Sequence, residues 1–357
     1  MTDTEFSYQR LSFTDFFAQY GTAMPKARLF ELSLPWLTAT NDFMVESTDS
    51  VIVHCLISSK QGVVIAWPLV HQQNKRIKSL TSFYSAISEP LYFVLSNEEH
   101  LCLLLGFIEQ DNNWQTMQFG SFDKDSVTAK ALVDFFPFCK IFSRTDNIYQ
   151  QVPVQFDEYY QQRPSQLRNT IKRRSKKLAK LHSYNISIVT ELAGFSTAFS
   201  AYKTIYQQSW KGEEYSFAFI EQVCLSAIDE NKLRLGLLTI DGKPAAAQIW
   251  FVQSCPVEEE SAEKNASIFK LAYNPEYQMF SVGSLLSMAL SEHVITQDQV
   301  TSIEFGMGSE PYKMDWLNNK RQRTSYQVFN PLSFYGKLDI IRHIILPKIR
   351  AKLFSKT

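Results

Sequence analysis

Two hydrophobic periods alternate along this chain. VIVHCLIS (51–58) and GVVIAWPLV (62–70) are β-branched runs on either side of short polar turn material, which predicts a hairpin. LYFVL (91–95) and WQTMQFG (114–120) predict further strands. NEEHLCLLLGFIEQ (97–110) and DKDSVTAKALVDFF (123–136) instead space their apolar residues as helices do. Asn97 is placed to cap the first of these, and two glutamates occupy its first turn, where the helix dipole favours anions. The pattern predicts an α/β or α+β unit ending near residue 155.

The pattern then changes. RPSQLRNTIKRRSKKLAK (163–180) contains no acidic residue. Its Leu167, Ile171 and Leu178, with Leu181 just beyond, fall close to one helical face, and cations cover the others. NISIVT (185–190) predicts a strand, and STAFSAYKTIYQQSW (196–210) and EEYSFAFIEQVCLSAIDE (213–230) predict helices. KLRLGLLTI and KPAAAQIWFV, joined by Asp241-Gly242, carry the strongest hairpin signal in the chain. The stretch 254–265 reads as a polar, acidic hairpin tip. SIFKLAY (267–273), TSIEF (301–305) and SYQVF (325–329) predict strands, and SVGSLLSMALSEHVI (281–295) a helix.

Composition narrows the classes without naming one. At 357 residues two domains are expected, and a formal net charge of zero gives no global attraction to nucleic acid or membrane. Five dispersed cysteines without metal spacing fit reduced thiols in a cytoplasm, and no secretion signal or membrane-length apolar run is evident. No His or Cys spacing suggests a metal site, and neither a Walker loop nor a nucleophile elbow occurs.

The order of these segments resembles the GNAT acyltransferase superfamily, in particular its tandem-domain bacterial branch. That branch includes acetyltransferase-like proteins of cellulose and exopolysaccharide biosynthesis and the Fem peptidyltransferases. The resemblance rests on RNTIKRRSKKLAK, SWKG (209–212), LLTIDGKPAAAQIWF, LAYNPEY leading into FSVGSLL, and FGMGSEPYKMDW (305–316). It implies an α/β (α+β) chain of two GNAT-like domains, each a mixed, mainly antiparallel sheet flanked by helices. The expected spans are 1–155 and 156–330, the second holding the active site, with a basic amphipathic helix at 331–357. The implied activity is transfer of an acyl group, acetyl above all, from acyl-CoA to an amine on a sugar, lipid or cell-envelope precursor; the alternatives are a Fem-like aminoacyl-tRNA-dependent transferase and a non-catalytic binding or scaffold protein of a polysaccharide pathway. The helix start QMFSVGS departs from the family's fuller glycine signature, carrying Gln278 and the single Gly283.

Helix starts bind pyrophosphate through free N–H groups and the dipole. Gln278, Ser281, Val282, Gly283 and Ser284 are therefore candidates for the CoA phosphates; an ordinary helix capped by Ser281 is the plainer alternative. Asn274-Pro275 ends the preceding strand, and in the family that strand splays from its neighbour into a wedge for the thioester. Gly306-Met307-Gly308 turns the chain beyond TSIEF. Tyr312, Lys313 and Trp316 would then wall the acyl group. Lys313 is a candidate for acceptor or oxyanion binding, Tyr312 or Tyr273 for protonating the thiolate, and Glu304 for general base or partner of Lys313. Arg168, Lys172, Trp210 and Lys211 are candidate substrate contacts. The basic helix is either a solvated face or an anion surface, with tRNA the less favoured anion. The C-terminal segment mixes apolar and basic residues and could lie on an anionic membrane surface.

Overall fold

The structure, a computed structural model, describes residues 6–25, 27–95, 98–110, 113–255 and 263–354. Its first elements are β1 (Phe6–Ser12), α1 (Phe13–Tyr20), α2 (Leu34–Met44), β2 (Ser50–Ser58), β3 (Gly62–His71), β4 (Arg76–Ser79) and β5 (Leu91–Tyr92). α3 (Glu98–Gln110), β6 (Thr116–Asp123), α4 (Val127–Phe135), β7 (Cys139–Gln151), α5 (Phe156–Gln161), α6 (Ser165–Leu181) and β8 (Tyr184–Val189) follow. Then come α7 (Phe195–Gln208), α8 (Phe217–Asp229), β9 (Leu233–Ile240), β10 (Lys243–Cys255) and β11 (Glu263–Tyr273). After a 3-10 turn at Pro275–Phe280 the chain forms α9 (Val282–Thr296), β12 (Ser302–Phe305), α10 (Pro311–Trp316) and β13 (Asn319–Phe329). It closes with α11 (Phe334–Ile340), a π-helical turn at Ile341–Ile345 and α12 (Leu346–Phe354). The expected cap Asn97 and the centre of the expected acidic tip, 256–262, lie outside the described residues.

The chain divides into two compact units. One comprises Met1–Pro25, Thr40–Thr145 and Gln322–Thr357; the other comprises Lys26–Ala39 and Asp146–Arg321. Boundaries expected at 155 and 330 thus stand beside divisions at 145 and 321. Strand pairing explains the difference. In the first unit the sheet runs β1-β2-β3-β4-β6-β13, every pair antiparallel except β4–β6. In the second it runs β8-β9-β10-β11-β12-β7, every pair antiparallel except β11–β12. Both units thus repeat one pattern, in which the fourth and fifth strands are parallel. In each, the sixth strand comes from a distant part of the chain, which a reading of local periods does not detect.

Local chemistry builds the second unit. Asp241 and Gly242 have φ of 48° and 78°, the paired positive values that a two-residue hairpin requires, and they set β9 against β10. Leu285, Leu286, Leu290 and Val294 of α9 are buried in the core on this sheet. Gly236 of β9 lets α9 approach, since a Cβ there would lie 2.8 Å from Leu290 Cδ1. On the other face, Trp36 meets Phe219 and Phe269 at 5.1 and 5.3 Å between ring centroids, and Phe30 meets Phe251 at 4.5 Å. Ile249 pairs with Lys270 but Trp250 with Ile268, so Phe269 is the extra residue of a β-bulge turned towards these aromatics.

The bulge coincides with a break in pairing. β11 and β12 are in parallel register only from Asn265–Ser302 to Ile268–Phe305. β11 runs on to Tyr273, so Lys270–Tyr273 keep their register with β10 beyond the point where the β12 register ends.

Gly236→Val should crowd Leu286 and Leu290 and lift α9 from β9. A loss of about 1–3 kcal/mol is expected in denaturant unfolding. Unchanged stability would show that α9 does not depend on this close approach.

Candidate active site

The strand break opens into a cleft. It has a volume of about 300 Å³, in the range of small-molecule sites. Its walls are Leu271 and Tyr273 of β11, Gln278 and Ser281 of the 3-10 turn, and Gly283, Ser284 and Ser287 of α9. Tyr312, Asp315 and Trp316 of α10, with Leu167, Trp210 and Gln248, complete it.

The start of α9 is unusual. Ser281 occupies the cap position in a left-handed conformation, φ 54° and ψ 43°, and its side chain makes no capping hydrogen bond. The first helical bond runs from Leu285 N–H to Ser281 O at 3.0 Å. The N–H groups of residues 282–284 precede it and have no partner within the helix. The plainer reading, a helix capped by the Ser281 hydroxyl, does not hold. This end carries about half a positive charge, and no acidic residue sits in the first turn. A Cβ at Gly283 would lie 3.3 Å from Tyr273 Cδ1, so glycine keeps this wall clear.

Gln248, on β10, holds the first turn in place. It is 1% exposed, donates to Gly283 O at 3.0 Å and Ser287 Oγ at 2.8 Å, and accepts from Trp250 Nε1 at 2.9 Å. The sequence offered a signal for it, a lone amide within AAAQIWF, that the strand reading passed over. Asp315, Ser287, Leu271 and Leu167 were likewise not singled out as site residues.

The anticipated site residues divide. Gln278, Ser281, Gly283, Ser284, Tyr273, Tyr312, Trp210 and Trp316 all line the cleft. Trp210 and Tyr273 pack together with centroids 4.5 Å apart. Val282 is fully buried in the core instead. Asn274 caps the 3-10 turn, accepting from Glu276 N at 3.0 Å and donating to Gln208 Oε1 at 3.0 Å. Arg168 bonds Arg163 O and Gln161 at the start of its own helix, and Lys172 is exposed on α6; neither lines the cleft.

Lys313 and Glu304 are placed differently from the expectation. The Lys313 ammonium donates to Met307 O at 2.6 Å and Gly308 O at 3.3 Å and pairs with Glu310 at 2.7 Å. These three contacts take up its three protons, leaving none for an oxyanion. Lys313 instead ties down the Gly306–Gly308 turn, whose Gly308, at φ 99°, has no room for a Cβ beside Glu310. Glu304 is 2% exposed and pairs with Arg321, not Lys313. It borders a separate polar cavity with Tyr149, Asn265 and Ser302.

Behind Trp210 lies a group of cations. Lys270 pairs with both oxygens of Glu214 at 3.0 and 2.9 Å. The Lys211 ammonium lies over the rings of Tyr206 and Trp210 at 5.6 and 5.9 Å and makes no hydrogen bond or ion pair with the described residues. Burial, and then the Lys270 charge, lower its pKa to about 8, against the pull of Glu214 and Glu310. Burial, and then Glu310, raise the Tyr312 pKa, so its phenol stays protonated.

In the first unit the helix at the corresponding place in the strand order starts differently. There α3 lies between the two parallel strands in the chain, and its first turn carries Glu98 and Glu99. These carboxylates would repel a phosphate where α9 would attract one.

Residues 165–314 match the family model described as the acetyltransferase (GNAT) domain. No match is found among curated protein sequences. The fold is similar to that of FemX, with TM-score 0.61 and 10% identity, covering 91% of this chain and 98% of that one. It is also similar to L-PGS from Bacillus licheniformis, with TM-score 0.51 and 12% identity, covering 82% and 88%. A tandem GNAT protein from the clavulanic acid biosynthesis pathway gives TM-score 0.50 and 10% identity, covering 92% and 100%.

Since the Lys211 pKa is lowered, its amine is free over a pH range where ordinary lysines are protonated. Competitive acetylation followed by peptide mapping should show Lys211 titrating near pH 8. A midpoint near 10, where free lysine titrates, would mean that the ammonium is not held in this environment.

Proposed function

We propose that this chain, whose residues 165–314 form an acetyltransferase (GNAT) domain within a tandem GNAT fold, transfers an acyl group from acyl-CoA to an amine. The acceptor is an amine, or less favourably a hydroxyl, on a sugar, lipid or cell-envelope precursor. The observation that carries this reading is the uncapped start of α9 beside the Leu271–Tyr273 stretch of β11, which lies beyond the β12 register.

The two features fit the two parts of acyl-CoA. Amides 282–284 and the dipole suit a diphosphate, with the Ser281 and Ser284 hydroxyls and the Gln278 amide as further donors. That stretch of β11 offers backbone groups to the pantetheine amides, as an edge strand does to an added peptide. Asp315 is the charged residue among the cleft-lining side chains, so it is the candidate to take a proton from the attacking amine. The amine nitrogen bonds to the thioester carbonyl carbon, the C–S bond breaks, and the thiolate takes a proton from Tyr273 or Tyr312. Glu304 and Lys313 have no part in these steps.

The seven cations and no acids of α6 favour a second reading, in which a Fem-like transferase takes aminoacyl-tRNA as donor. α6 contributes Leu167 to the cleft, and Lys177 lies over Phe280 at 5.8 Å.

Calorimetry separates the two donors. Acetyl-CoA should bind, and Gly283→Asp, which sets a carboxylate against the diphosphate and crowds Tyr273, should weaken it by at least about a hundredfold. Binding of tRNA but not CoA would support the second donor, and equal CoA affinity in the variant would remove α9 from the site. For the chemistry, Asp315→Asn should lower kcat by roughly 10²–10⁴-fold. An unchanged kcat would mean that another group takes the proton.

A further inference from the structure

Helix α11, the π-helical turn and α12 bury little and expose their apolar face. The inner contacts are Gly336, Ile340 and His343. A Cβ at Gly336 would lie 2.1 Å from Asn330 O, so the helix backbone sits directly on that loop. Ile340 is 5% exposed, and the His343 ring stacks on Phe329 at 5.7 Å. On the outer side Phe334, Leu338, Ile341, Ile345 and Ile349 are 70%, 47%, 46%, 42% and 48% exposed. Steps of three and four residues place them on one stripe, and the exposed Tyr335 and Leu346 widen it. Scattered exposed apolar residues are ordinary, but a continuous stripe along one element is a docking surface.

Charge identifies what covers it. Lys337, Arg342, Lys348 and Arg350 are exposed among the apolar residues. Residues 331–357 carry six Lys or Arg against the single Asp339, whereas the whole chain balances 36 against 36. Five units of positive charge are thus concentrated in the last 27 residues, and the remaining chain is acidic by the same amount. A second copy docking through this stripe would set like charges together. Among the described residues no helix is long and apolar enough to cross a membrane. An apolar stripe with cations among and beside it suits a surface that offers hydrocarbon below and anions above.

We propose that α11–α12 lies in the interface of an anionic lipid bilayer, its apolar stripe among the acyl chains and its cations among the headgroups. This inference stands independently of the donor and the acceptor.

The test is co-sedimentation of the full chain with vesicles of phosphatidylglycerol mixed with phosphatidylcholine, beside phosphatidylcholine alone. The protein should sediment with the anionic vesicles, and high salt should release much of it. F334S/L338S/I341S should reduce partitioning by at least about a hundredfold. K337Q/R342Q should reduce it about tenfold on anionic vesicles and little on neutral ones. The altered side chains are exposed, so thermal unfolding and acyl transfer to a soluble amine should match wild type. If the triple variant misfolds, the double variant decides alone. Wild type remaining in the supernatant, partitioning indifferent to the substitutions, or a dimer that the triple variant dissolves would each overturn the proposal.

Discussion

Parallel pairing between β11 and β12 stops after four residue pairs, and the candidate site depends on that stop. Two local causes enforce it. Phe269 bulges from β11 to join Trp36 and Phe251, which changes the direction of the strand. β12 ends where Gly306–Gly308 turns away, and the Lys313 ammonium holds that turn by two of its carbonyls. A bulge on one strand and a tied turn on the other leave Leu271–Tyr273 of β11 beyond the β12 register and facing the cleft. Had the two strands stayed paired, the cleft would be sheet.

This stretch gains its chemistry from the helix beside it. Gln248 fixes the first turn of α9 from below, and the left-handed Ser281 withholds its own hydroxyl from the helix amides. A helix start left uncapped carries an energetic cost, so such an end, open to a cleft, is suited to a ligand. The first unit repeats the strand pattern, with β4 and β6 as its parallel pair, but α3 opens with Glu98 and Glu99. The same architecture thus presents opposite charge at corresponding places. This difference in one helical turn is the reason the chemistry is proposed for the second unit.

Much of the site could be read in advance because it depends on short-range features. The Asp241-Gly242 hairpin, the strand ending before Pro275, the helix start at Gly283 and the glycine turn after β12 each follow from a few adjacent residues. Side-chain roles were less accessible. Lys313 stands in the right loop for an acceptor or oxyanion contact, but its protons are taken by Glu310 and by two carbonyls that only the folded turn brings within reach. Glu304 alternates with apolar neighbours, which gives its face of the sheet but not its partner, Arg321, supplied by β13. Gln248 and Asp315 went unnoticed because a single amide or carboxylate has no period to mark it.

The sequence by itself determined many of the elements, the hairpin, the position of the helix start after Ser281 and the likeness to tandem GNAT proteins, because turn chemistry and hydrophobic period act over a few residues. The tertiary structure alone decided which strand closes each sheet, that Phe30 and Trp36 pack behind the bulge, and which polar groups are already committed. Those outcomes depend on contacts between residues more than 200 positions apart, as for Arg323 and Ala86, and local pattern carries no record of such partners.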